Sequence, residues 1–216
     1  MKKNFFVSLV LVLAGVGLLA QAPDRSKPPA LGPAPTLKLP QIQKRQLANG
    51  LPVWIVELHE VPVVQVNLVV LSGTAEDPAG KYGIASLTTA MLTNGAGSRN
   101  ALEIADAIDF LGADLNAVSG IDASTIRLHV PVARLADALP IMADVALRPT
   151  FPKDELERLR QQRLTSLIQS RDDAPTIASL AFSRVLYGPA HRFGTATMGT
   201  AETIKAFTVD DLRAFY

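Results

Sequence analysis

The residues able to do chemistry are few. Cysteine is absent, which removes disulfides, thiolate metal sites and cysteine nucleophiles. The three histidines are His59, His129 and His191. His59 stands in "ELHEVP" beside Glu57 and Glu60, a set that would suit a metal if folded inward. The simpler reading is a solvated loop tip between strands. His129 alternates with Arg127 on the polar side of a strand, and His191 lies in the loop "PAHRFG". No two of the three have metal-ligand spacing. Ser86 has no histidine near it in sequence to act as a base. "GAGSRN", Gly95 to Asn100, lacks the lysine and the preceding strand of a phosphate loop and reads as a turn. Arg158, Arg160, Arg163 and Arg171 interleave with Asp154, Glu155, Glu157, Asp172 and Asp173, the pattern of a solvated helix face.

The elements that must position these residues follow from apolar periodicity. "RQLANGLPVWIVEL" reads as two strands about an Asn49-Gly50 turn. "VPVVQVNLVVLSG" is apolar on both sides, with Val64, Val66, Leu68 and Val70 facing one way and Val63, Val69 and Leu71 the other. That predicts a strand inside a covered sheet. In "GKYGIASLTTAMLTNGAGSRN", Ile84, Leu87, Thr88 and Met91 repeat at helical spacing. The far side carries only Ser86, Thr89, Ala90 and Thr93, so the helix should be buried nearly all round. From Tyr82 to Ser98 this stretch holds no charge, histidine or cysteine.

A helix capped by Asn100 and Glu103 and stopped by Gly112 comes next, then two strands about Ser119-Gly120 with Ile126, Leu128 and Val130 on one face. "VARLADALPIMADVAL" is one helix or two, with Pro140 as the interruption. The longest helix carries the stripe Leu156, Leu159, Leu164, Leu167 and Ile168. Another runs from Pro175 to Gly188, and two short helical turns finish the chain. Strands, then helices, then a hairpin, then helices predict an α+β fold: a mainly antiparallel sheet with helices packed on one face.

Hydrophobic residues make up 48% of the 216 and the net charge is +1, which fits a globular chain and gives no electrostatic footprint for nucleic acid. Residues 1–22 read as a secretory signal: Lys2 and Lys3, an apolar run from Phe5 to Leu19, and Ala20-Gln21-Ala22 as a small-residue cleavage pattern. The run is short against the ~20 residues of a membrane span. Export to the periplasm or medium is expected, with an uncleaved anchor as the other option and the signal segment as the only membrane contact. Residues 23–42 are a proline-rich spacer, leaving 43–216 as the folded domain. The capped helix start at Thr208 has barely begun when the chain stops at Tyr216, as in a piece of a longer protein.

From about Gln43 onward the chain resembles the insulinase/pitrilysin family of zinc metallopeptidases, which includes the mitochondrial processing peptidases. Three motifs in order carry the likeness. "NGLPVWIVELHEVPVVQVNLVVLSGTAED" is similar to the family's opening strands, with Gly73 and Glu76 after them. "GKYGIASLTTAMLTNGAGSRNALEIADAIDFLGADLNAVSG" is similar to its metal helix and the helix that follows. "LYGPAHRFGTATMGTAETIKAFTVDDLRAFY" is similar to its His-aromatic-Gly, Gly-Thr and Asp-Leu-x-x-Phe-Tyr run.

Active members bear His-x-x-Glu-His on the metal helix. Side chains at i and i+4 share a face, so two imidazoles hold one zinc while the glutamate serves as base to its water. A glutamate on the long helix downstream completes the ligand set. The resemblance places the histidines at Ser86 and Ala90, the base at Thr89 and the downstream glutamate at about Ser166. Hydroxyls and a methyl group neither ligate zinc well nor act as a base near neutral pH. His191 occupies a position that family members fill while keeping their own zinc motif.

The resemblance therefore implies a catalytically silent subunit without a cofactor of its own. It would pair as a heterodimer with a zinc-bearing sister subunit to close a peptide-degrading chamber. Peptides would bind as an added strand on a sheet edge. The arginine and tyrosine that silent subunits lend to a partner's site belong to a C-terminal domain beyond this chain. Two other readings stay open: an active zinc metalloendopeptidase with an aberrant metal site, and a structural subunit with no peptidase role.

Overall fold

A computed structural model describes residues 39–189 and 191–216, together with Gly32 and Thr36. The expected signal segment, and all but a few residues of the spacer, lie outside the described residues.

The chain divides into two units, the first ending at Leu58 and the second running from His59 to Tyr216. In the first, β1 (Ile42–Gln46) and β2 (Pro52–Val56) form an antiparallel hairpin, with Lys44 opposite Trp54. Gly50 takes φ 89° at the turn, where a side chain would be strained, and the Asn49 side chain accepts a hydrogen bond from the Leu51 N–H. The Lys44 ammonium lies 4.9 Å from the centre of the Trp54 ring.

The second unit opens with β3 (Val63–Val70) and then α1 (Ile84–Met91), a helix continued by one tighter turn, Leu92–Asn94. The two-residue strands β4 (Gly95–Ala96) and β5 (Arg99–Asn100) pair and lead into α2 (Ala101–Phe110). The predicted Asn100–Glu103 capping box is present, and Gly112 turns the chain with φ 62°. β6 (Asp114–Ser119) and β7 (Ser124–Pro131) make a hairpin. α3 (Leu135–Leu147) runs unbroken through Pro140, which resolves the expected alternative in favour of one helix. α4 (Lys153–Gln169) and α5 (Ala174–Tyr187) follow, then the short α6 (Ala201–Ala206) and α7 (Val209–Phe215), each started by a threonine capping box.

The three longer strands lie in the antiparallel order β3-β7-β6. Ile126, Leu128 and Val130 of β7 are buried against Ile84, Leu87 and Met91 of α1, Ile141, Met142 and Val145 of α3, and Leu212 of α7. A mixed fold with helices on a mainly antiparallel sheet is thus observed.

One strand departs from expectation. β3 is at a sheet edge among the described residues, and Val63 and Val69 are exposed. Its open face also carries Gln65 and Asn67. By register these meet His129 and Arg127 of β7, which are in turn opposite Asp114 and Asn116 of β6. The middle of that face is polar across all three strands. The alternation at Gln65 and Asn67 was the signal for one-sided burial.

Candidate functional site

α1 begins where a buried carboxylate holds its first turn. Asp77 is fully buried and accepts hydrogen bonds from the Gly83 N–H at 2.6 Å and the Ala85 N–H at 2.9 Å. These are donors that a helix start leaves without a partner. Gly83 takes φ 95°, and a Cβ there would lie 2.5 Å from the Met198 carbonyl oxygen, so only glycine fits. Burial pushes the Asp77 carboxyl above its usual range, opposed by the Ala85 and Gly83 N–H groups and by Arg192. Arg192 reaches Asp77 at 3.0 Å, donates to the Thr74 carbonyl, and stacks 4.4 Å from the centre of the Tyr82 ring. The residue that anchors the helix is therefore Asp77; its neighbour Glu76, which the resemblance singled out, is exposed.

Along α1, Thr89 is buried, while Ser86 and Ala90 are half-buried. The Thr89 hydroxyl donates back to the Ala85 carbonyl at 2.8 Å. Ser166 is half-buried on α4, its hydroxyl donating to the Gln162 carbonyl at 3.1 Å. Between the two helices stands a side chain that the sequence reading assigned to a solvated face. Arg163 of α4 donates from Nη1 to the Ser86 hydroxyl at 2.8 Å and from Nη2 to the Ser86 carbonyl at 2.7 Å.

The solvated-face reading of Arg160 and Arg163 is thus corrected. Arg160, 13% exposed, donates to the Lys205 carbonyl at 2.8 Å, the Phe207 carbonyl at 2.7 Å and the Ile204 carbonyl, capping the end of α6. The signal was in the spacing. Leu156 is buried and Leu159 packs on the core. Arg160 is four residues beyond Leu156; Arg163 is four beyond Leu159 and seven beyond Leu156. Both arginines therefore share the inward stripe. The stripe fails at its far end, where Ile168 is exposed.

Burial pushes the Arg163 guanidinium down to about 10, which still leaves it a cation at neutral pH. A cation beside neutral hydroxyls supplies donors and no base. The arrangement can hold an anion or a carbonyl oxygen; it has nothing with which to take a proton from water.

The histidines stand apart from this centre. His129 lies on the open face of the sheet. The His191 ring stacks on Tyr187, centroids 5.5 Å apart, and its Nδ1 accepts from the Phe193 N–H at 3.2 Å. His59 is exposed at the start of the second unit. Among the described residues, no three of histidine, aspartate and glutamate gather closely enough to hold a metal.

Comparison with known proteins gives a consistent result. A family model for the insulinases (peptidase family M16) matches residues 53–192. An uncharacterized zinc protease of Mycobacterium leprae is 29% identical over 170 residues, which are 79% of this chain and 38% of that protein. The crystal structure of a peptidase M16 inactive domain from Pseudomonas fluorescens superposes with a TM-score of 0.76 at 32% identity. It covers 81% of this chain and 42% of that one. The periplasmic protease PqqL of Escherichia coli shares the fold, with a TM-score of 0.72 at 23% identity over 82% of this chain and 21% of PqqL. This chain spans about two fifths of the length of the curated relatives it matches. With the family model covering both the α1 centre and most of the sheet, the chain belongs to the insulinase family of peptidases, family M16.

Proposed function

We propose that this chain is a catalytically silent member of its family, paired with a zinc-bearing sister subunit to form a peptide-degrading chamber. The observation that carries the reading is the Arg163 guanidinium, hydrogen-bonded to Ser86 where the resemblance puts the first metal ligand. Zinc does not fit this donor set. Ser86, Thr89, Ala90 and Ser166 offer no imidazole and no carboxylate, and a fixed cation repels a dication. The similar structure from Pseudomonas fluorescens is itself described as an inactive domain. The similarity to a periplasmic protease, together with the signal-like residues 1–22, supports work outside the cytoplasm.

Metal analysis and co-purification test the proposal. The full chain should bind zinc far below one ion per molecule and cleave no peptide alone. It should co-purify with a family member bearing intact His-x-x-Glu-His, and the pair should hydrolyse peptides. Stoichiometric zinc on this chain, with cleavage by it alone that a chelator stops, would overturn the reading. A pair that cleaves nothing would favour a purely structural subunit.

A further inference from the structure

We infer that Arg163 and Ser86 form a binding site for a carboxylate group, presented by a peptide as its C-terminus or as an acidic side chain. The inference rests on reading this centre as metal-free and names what the centre takes instead.

Arg158 has Glu155 three residues before it and pairs with it at 2.7 Å; Arg160 likewise pairs with Glu157 at 2.9 Å. Arg163 has Arg160 three residues before it and Ser166 three after, so its own helix offers no acid within reach. Neither does the rest of the molecule: among the described residues no carboxylate pairs with Arg163. A guanidinium drawn away from water without an anion is an expensive feature.

Its donors are only partly used. Of the five N–H groups on a guanidinium, Ser86 accepts one from Nη1 and one from Nη2. The Nε–H and the second hydrogens of Nη1 and Nη2 have no partner among the described residues. The edge formed by Nε and its neighbouring terminal nitrogen matches the two oxygens of one carboxylate. Ser86 holds the fork from the other side, so its orientation is fixed before a ligand arrives.

The pair is not sealed from solvent. Ser86 and Arg163 are half-buried, as are Ala90 and Ser166, one turn farther along the same sides of their helices. These neighbours are small and neutral. The charge also selects the ligand: one guanidinium balances the single charge of a carboxylate. A phosphate dianion calls for a second cation, and Arg160 is turned away to the carbonyls of Lys205 and Phe207.

The test is calorimetric titration of the full chain, in chelator, with three short N-acetylated alanine-glycine peptides. One ends in a free carboxylate, one is amidated, and one is amidated but carries an internal glutamate. At least one of the acidic peptides should bind about tenfold more tightly than the neutral one, and which does so identifies the source of the group. Arg163→Gln should abolish the difference, whereas Arg158→Gln, at an exposed arginine of the same helix that pairs with Glu155, should keep it. If the glutamine variant does not fold, Arg163→Lys carries the test, because it keeps the charge and loses the fork; the preference should then shrink several-fold. Equal binding of all three peptides overturns the site. So does a preference unchanged in the Arg163 variants, or inorganic phosphate binding without peptide discrimination. These measurements need no partner subunit. A chain that discriminates carboxylates yet supports no hydrolysis keeps the site and loses the proposed function, and the converse result is equally distinct.

Discussion

On the proposed reading, Arg163 adds a physical obstacle to a list of residues unsuited to zinc. Ser86, Thr89, Ala90 and Ser166 suggest a simple repair: His, Glu, His and Glu at those positions. Arg163 sets the repair back, because its charge would remain beside the new ligands. At a separation of about 5 Å and an effective dielectric near 20, a guanidinium and a zinc ion oppose each other by roughly 7 kcal/mol. The fourfold variant S86H/T89E/A90H/S166E should therefore bind zinc weakly. Adding Arg163→Gln should raise the affinity by at least about tenfold, as read by calorimetry. Equal zinc affinity with and without Arg163 would mean that the guanidinium does not share the site. Sequence reasoning named these four positions through the family motif. It passed over Arg163 because arginines amid acids look solvated until their offset from Leu156 and Leu159 is counted.

At the scale of elements, the legible features were local ones. The Asn49-Gly50 turn, the Asn100–Glu103 box, Gly112 and the threonine start of α7 each depend on atoms within a few residues, and each is present. Burial was less legible. β3 was expected to be covered on both sides and has one open face, polar at Gln65 and Asn67. α5 shows the same limit from the other side. Its sequence is apolar, yet none of its residues is buried in this unit, and Phe182 and Val185 are 67% and 87% exposed. A helix with few buried contacts opens at low free-energy cost. Amide exchange of the isolated chain should accordingly be faster through Ala174–Tyr187 than through α1 or β7. Equal protection of the three would contradict the burial pattern.

At the scale of the whole second unit, contacts far apart in sequence fix the frame around α1. Lys81, just before α1, pairs with Asp211 in the first turn of α7, 130 residues on. Lys81, with the Thr208 hydroxyl and N–H, holds the Asp211 carboxyl down to about 2. A folded value below the unfolded one means that the ionised form favours the fold. That stability is present above about pH 4 and is lost as pH falls toward 2. The pair is partly solvated, which limits its worth to about 1 kcal/mol or less. Urea titrations of Asp211→Asn should show a shallower loss of stability between pH 4 and pH 2 than the unaltered chain. An unchanged slope would place that acid sensitivity elsewhere.

The sequence by itself determined the order of elements, their caps and turns, the α+β class and the family, since each rests on spacing along the chain. Only the tertiary structure decided that Arg163 reaches Ser86, that Asp77 anchors α1, and that β3 has an open face. The reason is range. Helix periods and caps act over a few residues, whereas the partner of a buried charge is chosen by which surfaces meet. Ser86 and Arg163, 77 residues apart, meet only once α1 and α4 have packed.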